Sequence, residues 1–426
     1  MSDTQKNKKP NVPNLSVKRE QKELQIHSAE RETNVGRNVP NLRFPGFSGG
    51  WKQYIMGEIT ELFSRRNKNK TDFPMFSVTN ARGFVNQQEQ FEDREMKGDD
   101  IAAYKIVSPG EFAYNPARIN VGSIARYDGE TDCMISSLYV CFKARKELVD
   151  SQLLLHILKS PKMVYNYGIN GEGGVRIYLF YPNFARIRVK LPSLEEQRKI
   201  ASFLNLIEER IQIQNKVIER YESLIKALTN KIVDELLMRS IVPFSQLYRQ
   251  AGEGGTPSTS VEQYYLNGTI PFIKIDDLSS KYLVKNKDYI SELGLSKSSA
   301  WLIPSNSVIY SNGATIGAIS INTYPVSTKQ GILGVVPAAG VNTEYLYYLM
   351  KSRYFSEKVQ RIITEGTMKT AYLKDINKIP CPLPSSHEQQ SVVAGLSTLS
   401  TRLELEKQAL LSYESIKKYL LWNIFI

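Results

Sequence analysis

Two short motifs combine residue types that could do chemistry on a nucleic acid. Tyr114-Asn-Pro-Ala117 partly matches the Asn-Pro-Pro-aromatic signature of amino-methyltransferases, but it lacks the second proline and the aromatic residue. Glu95-Met-Lys97 matches the Glu-x-Lys half of a nuclease site, in which carboxylates hold Mg²⁺. The nearest acidic partner, Asp72, does not lie in a Pro-Asp context. Because neither motif is complete, the sequence predicts no methyltransferase or nuclease centre.

Other reactive groups are sparse. The chain has no GxxxxGK(S/T) phosphate loop, and Gly171-Glu-Gly-Gly174 is too short to indicate a dinucleotide site. The histidines and cysteines are His27, His156, His387, Cys133, Cys141 and Cys381. They show no zinc-ligand spacing, no CxxC pair and no even disulfide set. This pattern favours a binding or scaffolding protein without its own cofactor or metal, in a reducing, cytoplasmic setting.

The distribution of charge is more informative than any motif. The 426-residue chain carries a net charge of +12, with +5 in residues 43–190, +4 in 241–382, and zero in 191–240 and 383–426. Such a balance suits a polyanion, either nucleic acid or an acidic membrane surface, and a generally basic soluble protein is the alternative. No apolar run approaches the roughly 18 to 20 residues that a membrane span needs. We therefore expect no membrane insertion.

The first 42 residues have the composition of a tail. They are polar, and they contain the duplicated segments Asn11-Val-Pro-Asn-Leu15 and Asn38-Val-Pro-Asn-Leu42. Prolines and mixed charge argue against a packed element, so residues 1–42 are predicted to be disordered. A docking arm is the alternative interpretation.

A long internal repeat organises the rest of the chain. Residues 191–233 align without gaps on 383–425 at an offset of 192, and thirteen of the 43 positions are identical. Leu191-Pro-Ser193 matches Leu383-Pro-Ser385, and Glu196-Gln197 matches Glu388-Gln389. The chain is therefore predicted to consist of two copies of about 190 residues, each a globular part followed by a helical part.

The helical parts show a heptad pattern typical of coiled coils. Apolar or aromatic residues occupy most a and d positions, which are Leu204, Ile207, Ile211, Ile218, Tyr221, Ile225, Leu228 and Ile232 in the first copy, and Leu396, Leu399, Leu403, Leu410, Tyr413, Leu420 and Ile424 in the second. The polar exceptions Gln214 and Glu406 fall at the same repeat position, and Lys417 is a further exception. Ser193 and Ser385 are predicted helix N-caps in a capping-box pattern with the glutamates three residues on.

The globular parts read as β-rich mixed α and β structure. Strands are predicted over 119–127, 134–142, 307–310 and 318–322, and shorter helices over 151–159 and 343–351. The predicted fold class is α+β, with two β-rich domains at 43–190 and 241–382. Helical segments at 191–240 and 383–426 follow them, in a pseudo-two-fold repeat.

At residues 38–426 the sequence resembles the specificity subunits of type I restriction-modification enzymes. The first copy resembles the family in Val39-Pro-Asn-Leu-Arg-Phe-Pro-Gly-Phe47 with Trp51, in Tyr114-Asn-Pro-Ala-Arg-Ile-Asn-Val-Gly122 and in Ser137-Leu-Tyr139. The second copy does so in Gly254-Gly-Thr-Pro-Ser258, Ile270-Pro-Phe-Ile273, Ala314-Thr-Ile-Gly317 and Lys329-Gln-Gly331. The Leu-Pro-x-x-x-Glu-Gln starts at Leu191 and Leu383 resemble those of the two family helices. The N-terminal tail departs from the family pattern.

The resemblance implies a non-catalytic DNA-recognition subunit. Two target-recognition domains would each read one half of a split site in double-stranded DNA, and the two helices would pack antiparallel as a spacer. Two modification subunits would dock on the helices and domain flanks and transfer methyl groups from S-adenosylmethionine, and restriction subunits would add ATP- and Mg²⁺-dependent cleavage. S-adenosylmethionine, ATP and Mg²⁺ would thus belong to partner subunits.

Basic and amide side chains are the candidates for DNA contact, with a solvated surface role as the alternative for each. They are Arg65, Arg66, Lys68, Lys70, Arg118, Arg126 and Arg176 in the first copy, and Lys274, Lys329, Gln330 and Lys369 in the second. Arg118 is the preferred base-reading candidate, because arginine can pair bidentately with guanine. A stand-alone DNA-modifying enzyme and a coiled-coil scaffold without DNA remain the alternative functions, and an ordinary core helix or a homodimeric coil remains open for the heptads.

Overall fold

The computed structural model describes residues 39–87, 101–173, 177–364 and 369–425. The chain divides into two compact units, which are described separately. Unit 1 contains the described residues up to Ile211 together with those from Ser412 onward, and unit 2 is Gln212–Leu411. Each unit contains one globular part of the repeat and a segment of each long helix.

Unit 1 has short strands and helices joined by turns. The strands are β1 (Lys52–Ile55), β2 (Thr60–Phe63), β3 (Phe76–Thr79), β4 (Gly83–Asn86), β5 (Lys105–Val107), β6 (Phe112–Tyr114), β7 (Ile124–Arg126), β8 (Cys133–Ile135), β9 (Val140–Ala144) and β10 (Arg188–Leu191). The helices are α1 (Met56–Ile59), α2 (Ser151–Leu158), α3 (Pro161–Asn170), α4 (Tyr181–Ala185) and the first part of the long helix α5 (Leu194–Leu236). Short 3-10 turns occupy Ile101–Ala103 and Ile119–Val121.

The main sheet of unit 1 is antiparallel, with strand order β2-β9-β6-β7. All three residues of β6 are buried, and because side chains alternate along a strand they face two different cores. Phe112 and Tyr114 pack with Phe142 under α2, α3 and α4, and Ala113 packs with Cys141 on the other face. The sheet is thus covered on both faces, which explains its continuous apolar strand.

Unit 2 likewise consists of short strands and helices joined by turns. Its strands are β11 (Ile241–Pro243), β12 (Tyr248–Glu253), β13 (Ile270–Ile273), β14 (Tyr282–Leu283), β15 (Asp288–Ile290), β16 (Val308–Ser311), β17 (Ile319–Asn322), β18 (Ser327–Thr328), β19 (Ile332–Pro337) and β20 (Pro380–Pro382). Its helices are α6 (Glu292–Ser296), α7 (Thr343–Lys351), α8 (Arg353–Gln360), α9 (Leu373–Ile376) and most of the long helix α10 (Ser386–Ile424). Its 3-10 turns are Phe244–Gln246, Glu262–Tyr264 and Ile275–Asp277.

The two units share one topology, as the repeat predicts. The order β2-β9-β6-β7 of unit 1 recurs as β12-β19-β16-β17 in unit 2, where β14 adds a fifth strand. The starts of α2, α3, α4 and β10 lie 192 residues before those of α7, α8, α9 and β20. The predicted α+β fold with an internal duplication is confirmed.

Two of the predicted strands are wrong in their extent. Residues 119–121 form a 3-10 turn that ends at Gly122, whose positive φ of 94° breaks the extended run before β7. Residues 134–142 contain the end of β8 and the beginning of β9. A turn separates these strands, and in it the Tyr139 N–H donates to the Ser136 carbonyl. Buried apolar residues on both sides of each turn gave the appearance of one strand.

The two long helices pack antiparallel within each unit. In unit 1 Lys417 forms an ion pair with Glu208, and Arg210 lies 5.3 Å from the ring centre of Tyr413. In unit 2 the Gln214 amide donates to the Glu406 carbonyl at 3.0 Å, so the two polar exceptions of the heptads pair with each other. The predicted seam residues Leu204, Ile207, Ile211, Ile218, Tyr221, Ile225, Leu228, Leu396, Leu399, Leu403, Leu410, Tyr413 and Leu420 are all buried or half-buried.

The duplicated Glu-Gln motif fastens each globular part to its helix. The Gln197 side chain accepts from the Asp150 N–H at 2.9 Å, at the N-cap of α2, and Gln389 accepts from the Asn342 N–H at 2.8 Å, at the N-cap of α7. Ser385 and Glu388 form the predicted capping box, with the Ser385 N–H donating to the carboxylate at 2.9 Å. At α5 the Ser193 hydroxyl accepts from the helix, but the glutamate binds elsewhere.

In the first copy that glutamate, Glu196, receives a bidentate pair of hydrogen bonds from Arg43 at 2.8 and 2.7 Å. The residues just before Arg43 are also packed, because Pro40 is buried and the Leu42 N–H donates to the Asn423 carbonyl at 3.1 Å. The packed structure of unit 1 therefore includes residues before the predicted boundary at residue 42. Residues 1–38 of the predicted tail lie outside the described residues.

Candidate nucleic-acid interface

Arg118 stands on a rigid turn between β6 and β7 of unit 1. The turn is closed by hydrogen bonds from the Asn115 N–H to the Ser123 carbonyl and from the Ser123 N–H to the Arg118 carbonyl. Ile119 next to it is fully buried, whereas Arg118 is exposed. The turn thus presents a guanidinium group from a fixed backbone, as a base-reading side chain requires.

The predicted basic cluster lies in the loop after β2. Asn67 is 1% exposed and holds this loop, since its amide donates to the Thr71 carbonyl at 2.7 Å and accepts from the Thr71 N–H at 3.0 Å. Arg66, Lys68 and Lys70 are exposed around it. Three cations on one loop can contact neighbouring phosphates.

Two predicted arginines of unit 1 are committed to partners inside the unit. Arg65 forms an ion pair with Glu111, and burial raises the pKa of that carboxyl despite the backbone hydrogen bond from Ser108 and the nearby guanidinium. Arg126 is 10% exposed in its side chain and binds Asp128 at 2.6 Å and the Ser151 hydroxyl at 3.2 Å. Arg126 is therefore placed to stabilise the start of α2. Arg176 lies outside the described residues.

In unit 2 the fold brings Lys274 and Lys329 together. They follow the ends of β13 and β18, which pair in parallel with Ile273 opposite Thr328. The Lys329 N–H donates to the Ile273 carbonyl at 3.0 Å. Both side chains are exposed, and Lys274 lies 2.9 Å from Asp288.

Three other segments of unit 2, at 254–256, 312–313 and 369–371, are linked to the same edge. A Cβ added to Gly254 would lie 2.1 Å from the Thr328 carbonyl oxygen, so only glycine permits this approach. The Gln330 N–H donates to the Thr256 hydroxyl at 3.4 Å, and the N–H groups of residues 312 and 313 donate to the Gly331 carbonyl. The Ala371 N–H donates to the Asn312 carbonyl, which places the exposed Lys369 two residues from the turn. Lys274, Lys329 and Gln330 therefore lie at one edge beside the turn between β16 and β17, and Ala371 links the segment that carries Lys369 to the start of the same turn.

The equivalent turns of the two units present different chemistry. Unit 1 offers Arg118, whereas the tip of the β16–β17 turn offers the exposed small residues Ala314 and Thr315. Guanidinium groups favour guanine edges, while alanine and threonine methyl groups favour the thymine methyl. The two turns therefore expose different side chains.

The Tyr114-Asn-Pro-Ala117 motif has a structural role in unit 1. Tyr114 is fully buried, and the Asn115 side chain accepts from the Ala117 N–H at 3.0 Å, so this motif builds the Arg118 turn. Glu95 and Lys97 lie outside the described residues. Within the described ranges no cluster of three or more histidine, cysteine or acidic side chains could hold a metal ion. The same ranges contain no helix long and apolar enough to cross a membrane.

The family model for the type I restriction modification DNA specificity domain matches residues 49–223 and matches again at 249–412. The chain belongs to this family. It is a type I specificity subunit, the DNA-recognition component and not a catalytic one. The two matched segments correspond to the two structural copies.

Named relatives of the specificity family match along different shares of the chain. The MjaIX specificity subunit of Methanocaldococcus jannaschii is 31% identical over 176 residues, which cover 41% of this chain and 40% of that subunit. The HindI specificity subunit of Haemophilus influenzae is 20% identical over 395 residues, covering 74% of this chain and 86% of that subunit.

Solved structures share the specificity-subunit fold. A type I restriction-modification S subunit from M. genitalium superposes with a TM-score of 0.57 at 14% identity, covering 91% of this chain and 99% of that one. A chain from a study of assembly and conformational transition of the type I system gives a TM-score of 0.54 at 16% identity, covering 88% and 97%.

Several residues that shape this specificity subunit escape the sequence patterns. Asn67 organises the basic loop and Glu111 holds Arg65, yet neither lies in a repeated motif. Gln197 and Gln389 do have a signal, because the Glu-Gln pair recurs at the 192-residue offset. That recurrence marks a shared backbone contact in both copies.

Proposed function

We propose that this chain gives a type I restriction-modification complex its sequence specificity by reading a bipartite site in double-stranded DNA. The observation that carries the proposal is the duplicated sheet, which in both units ends in a fixed turn flanked by exposed cations. Each unit reads one half of the site.

Lysine and arginine contacts to phosphates supply most of the affinity, and contacts to base edges supply the specificity. The exposed side chains Arg66, Lys68 and Lys70 suit phosphate contact in the first half. In the second half Lys329 and Lys369 suit the same role. Arg118 reads a guanine in the first half-site, and Ala314 and Thr315 contact a thymine methyl in the second.

The long helices act as the spacer between the half-sites and as the docking surface for two modification subunits. Exposed apolar side chains along them support docking, among them Leu206 at 60%, Leu411 at 65% and Tyr419 at 59% exposure. The partners bind S-adenosylmethionine, and restriction subunits add ATP- and Mg²⁺-dependent cleavage. The complex works in the cytoplasm, where the buried thiols of Cys133, Cys141 and Cys381 stay reduced.

The test is a map of methylated adenines in DNA from cells that express this chain with a candidate modification subunit. We expect one split motif that is absent when the chain is omitted. Purified chain that methylates or nicks DNA alone would instead identify a DNA-modifying enzyme. A stable complex that produces no motif, with no DNA binding at low salt, would favour a coiled-coil scaffold.

A further inference from the structure

Unit 2 contains a buried lysine whose ammonium group is fully used. Lys281 is 7% exposed, and its Nζ donates to the Glu344 carboxylate at 2.6 Å, the Tyr348 hydroxyl at 3.0 Å and the Ser397 hydroxyl at 2.8 Å. A lysine ammonium has three donors, so its hydrogen-bonding capacity is exhausted. The ring of Tyr348 adds a cation–π contact at 4.7 Å.

These partners come from separate parts of the unit. Lys281 directly precedes β14 in the sheet, Glu344 and Tyr348 lie on α7, and Ser397 lies on the long helix α10. The Tyr348 hydroxyl also bonds Ser400 on α10 at 2.8 Å. One cation therefore ties the sheet and its covering helix to the long helix.

Lys281 is also connected to the candidate recognition turn. The Ile321 N–H donates to the Lys281 carbonyl at 2.8 Å, and the Ser320 hydroxyl donates to the Ser280 carbonyl at 2.7 Å. Ser320 and Ile321 belong to β17, the strand that leaves the turn bearing Ala314 and Thr315. A displacement of Lys281 would thus shift the strand that supports the turn.

A pocket adjoins this network. A cavity of about 480 Å³ lies between the sheet and the long helices of unit 2, and Ile225, Tyr347, Leu403 and Lys407 line it together with Lys281. Tyr348, Leu396 and Leu403 belong to one buried apolar cluster that also joins α7 to α10, and the polar network adds hydrogen bonds of fixed direction to this attachment. A buried charge is retained only when it is well paired, and such pairs can select one arrangement among several.

Unit 1 has different side chains at the corresponding positions of its short and long helices. At the 192-residue offset, Tyr348 corresponds to His156 and Ser397 to Asn205. The His156 Nε2–H donates to the Asn205 amide oxygen at 2.7 Å. The described sheet of unit 1 has no strand equivalent to β14. Among the described residues the charged attachment occurs in unit 2, since the positions of unit 1 that correspond to Lys281 and β14 lie outside the described ranges.

We infer that Lys281 is a positioning residue for the second half-site, because it fixes the unit 2 sheet on α10 and thereby fixes where its recognition turn meets DNA. This inference rests on the proposed function. It predicts that loss of the cation disturbs reading of one half-site and leaves the other unchanged.

The experiment maps methylated adenines for Lys281→Met in the assembled complex, with Lys285→Met as the matched control. Lys285 is an exposed lysine just after β14. We expect the control to reproduce the wild-type motif. For Lys281→Met we expect an intact first half-site and a loss of about tenfold in discrimination at the second, which is the scale of one base contact. We also expect new sites with an altered gap.

A second variant covers the case in which Lys281→Met leaves Glu344 buried and unpaired, so that the chain fails to fold. Lys281→Met with Glu344→Gln removes both charges together, and we expect it to fold and to show the same one-sided relaxation. A wild-type motif, gap and rate in this double variant would overturn the inference, as would equal loss at both half-sites. Lack of a split motif in the wild type would overturn the proposed function itself.

Discussion

Replacing Gln197 by alanine is expected to destabilise unit 1 by about 3 kcal/mol. Gln197 is 1% exposed and makes three hydrogen bonds to the backbone, accepting from the Asp150 N–H at 2.9 Å and donating to the Leu148 and Pro192 carbonyls at 3.0 Å each. An intramolecular hydrogen bond contributes about 1 kcal/mol, and a buried group left unpaired costs at least as much. Three lost bonds therefore give about 3 kcal/mol, and the cavity left by truncation adds to this.

The duplication supplies the matched experiment in unit 2. Gln389 makes the same three bonds, to the Asn342 N–H at 2.8 Å and to the Gly340 and Pro384 carbonyls at 3.1 and 2.9 Å. Gln389→Ala is therefore expected to destabilise unit 2 by the same amount and to spare unit 1.

Hydrogen exchange of the full chain, followed by mass spectrometry, reads the two units separately. Gln197→Ala is expected to raise exchange about 100-fold across α2, since about 1.4 kcal/mol corresponds to a factor of ten, with no change across α7. Ser202→Ala, at an exposed position on the same helix, serves as the control. Unchanged exchange in α2, or equal acceleration in both units, would refute the role assigned to the glutamines.

Three further predictions concern single features of the chain. Arg118→Ala is expected to weaken DNA binding about tenfold or more at one half-site only, because a bidentate guanine contact is lost. Footprinting on both half-sites measures this loss. An equal loss of affinity for every DNA sequence would reassign Arg118 to phosphate contact. Burial lowers the pKa of His156, so the neutral imidazole stabilises the fold fully at a pH above the ordinary histidine pKa, and this stabilisation is lost as the pH falls below that pKa. Denaturation of the wild type and of His156→Asn at pH 7.5 and 5.5 is expected to show a smaller change in unfolding free energy for the variant. An equal change in both proteins would contradict this. Insertion of one heptad after Ile218, matched by one after Leu403 on the antiparallel partner, adds about 10 Å of helix and is expected to change the gap of the methylated motif; an unchanged gap in an active complex would exclude the spacer role.

The periodic features of this protein are readable from the sequence because they depend on spacing. The heptads predict both long helices, and Gln214 and Glu406 fall at one repeat position and do pair in the structure. Strand limits are less predictable, since the short turn at 136–139 contains Leu138 and Tyr139 and so resembles the strands on either side of it.

Exposure of the candidate DNA-contacting residues depends on three-dimensional neighbours. Arg118 and Arg126 lie eight residues apart in one strand-rich segment and look equivalent in the sequence. The fold leaves Arg118 exposed, but it brings Asp128 and Ser151 to Arg126. Whether an arginine is available for DNA is therefore decided by contacts that no local pattern records.

The sequence by itself determined the duplication, the basic recognition parts, the neutral helical segments and the family, because each is a matter of composition, period or motif. Only the tertiary structure decided that Lys274, Lys329 and Gln330 share one edge, and that Lys281 joins β14 to α7 and α10. The physical reason is that these contacts join residues as many as 116 positions apart. Their geometry is fixed by strand pairing and helix packing.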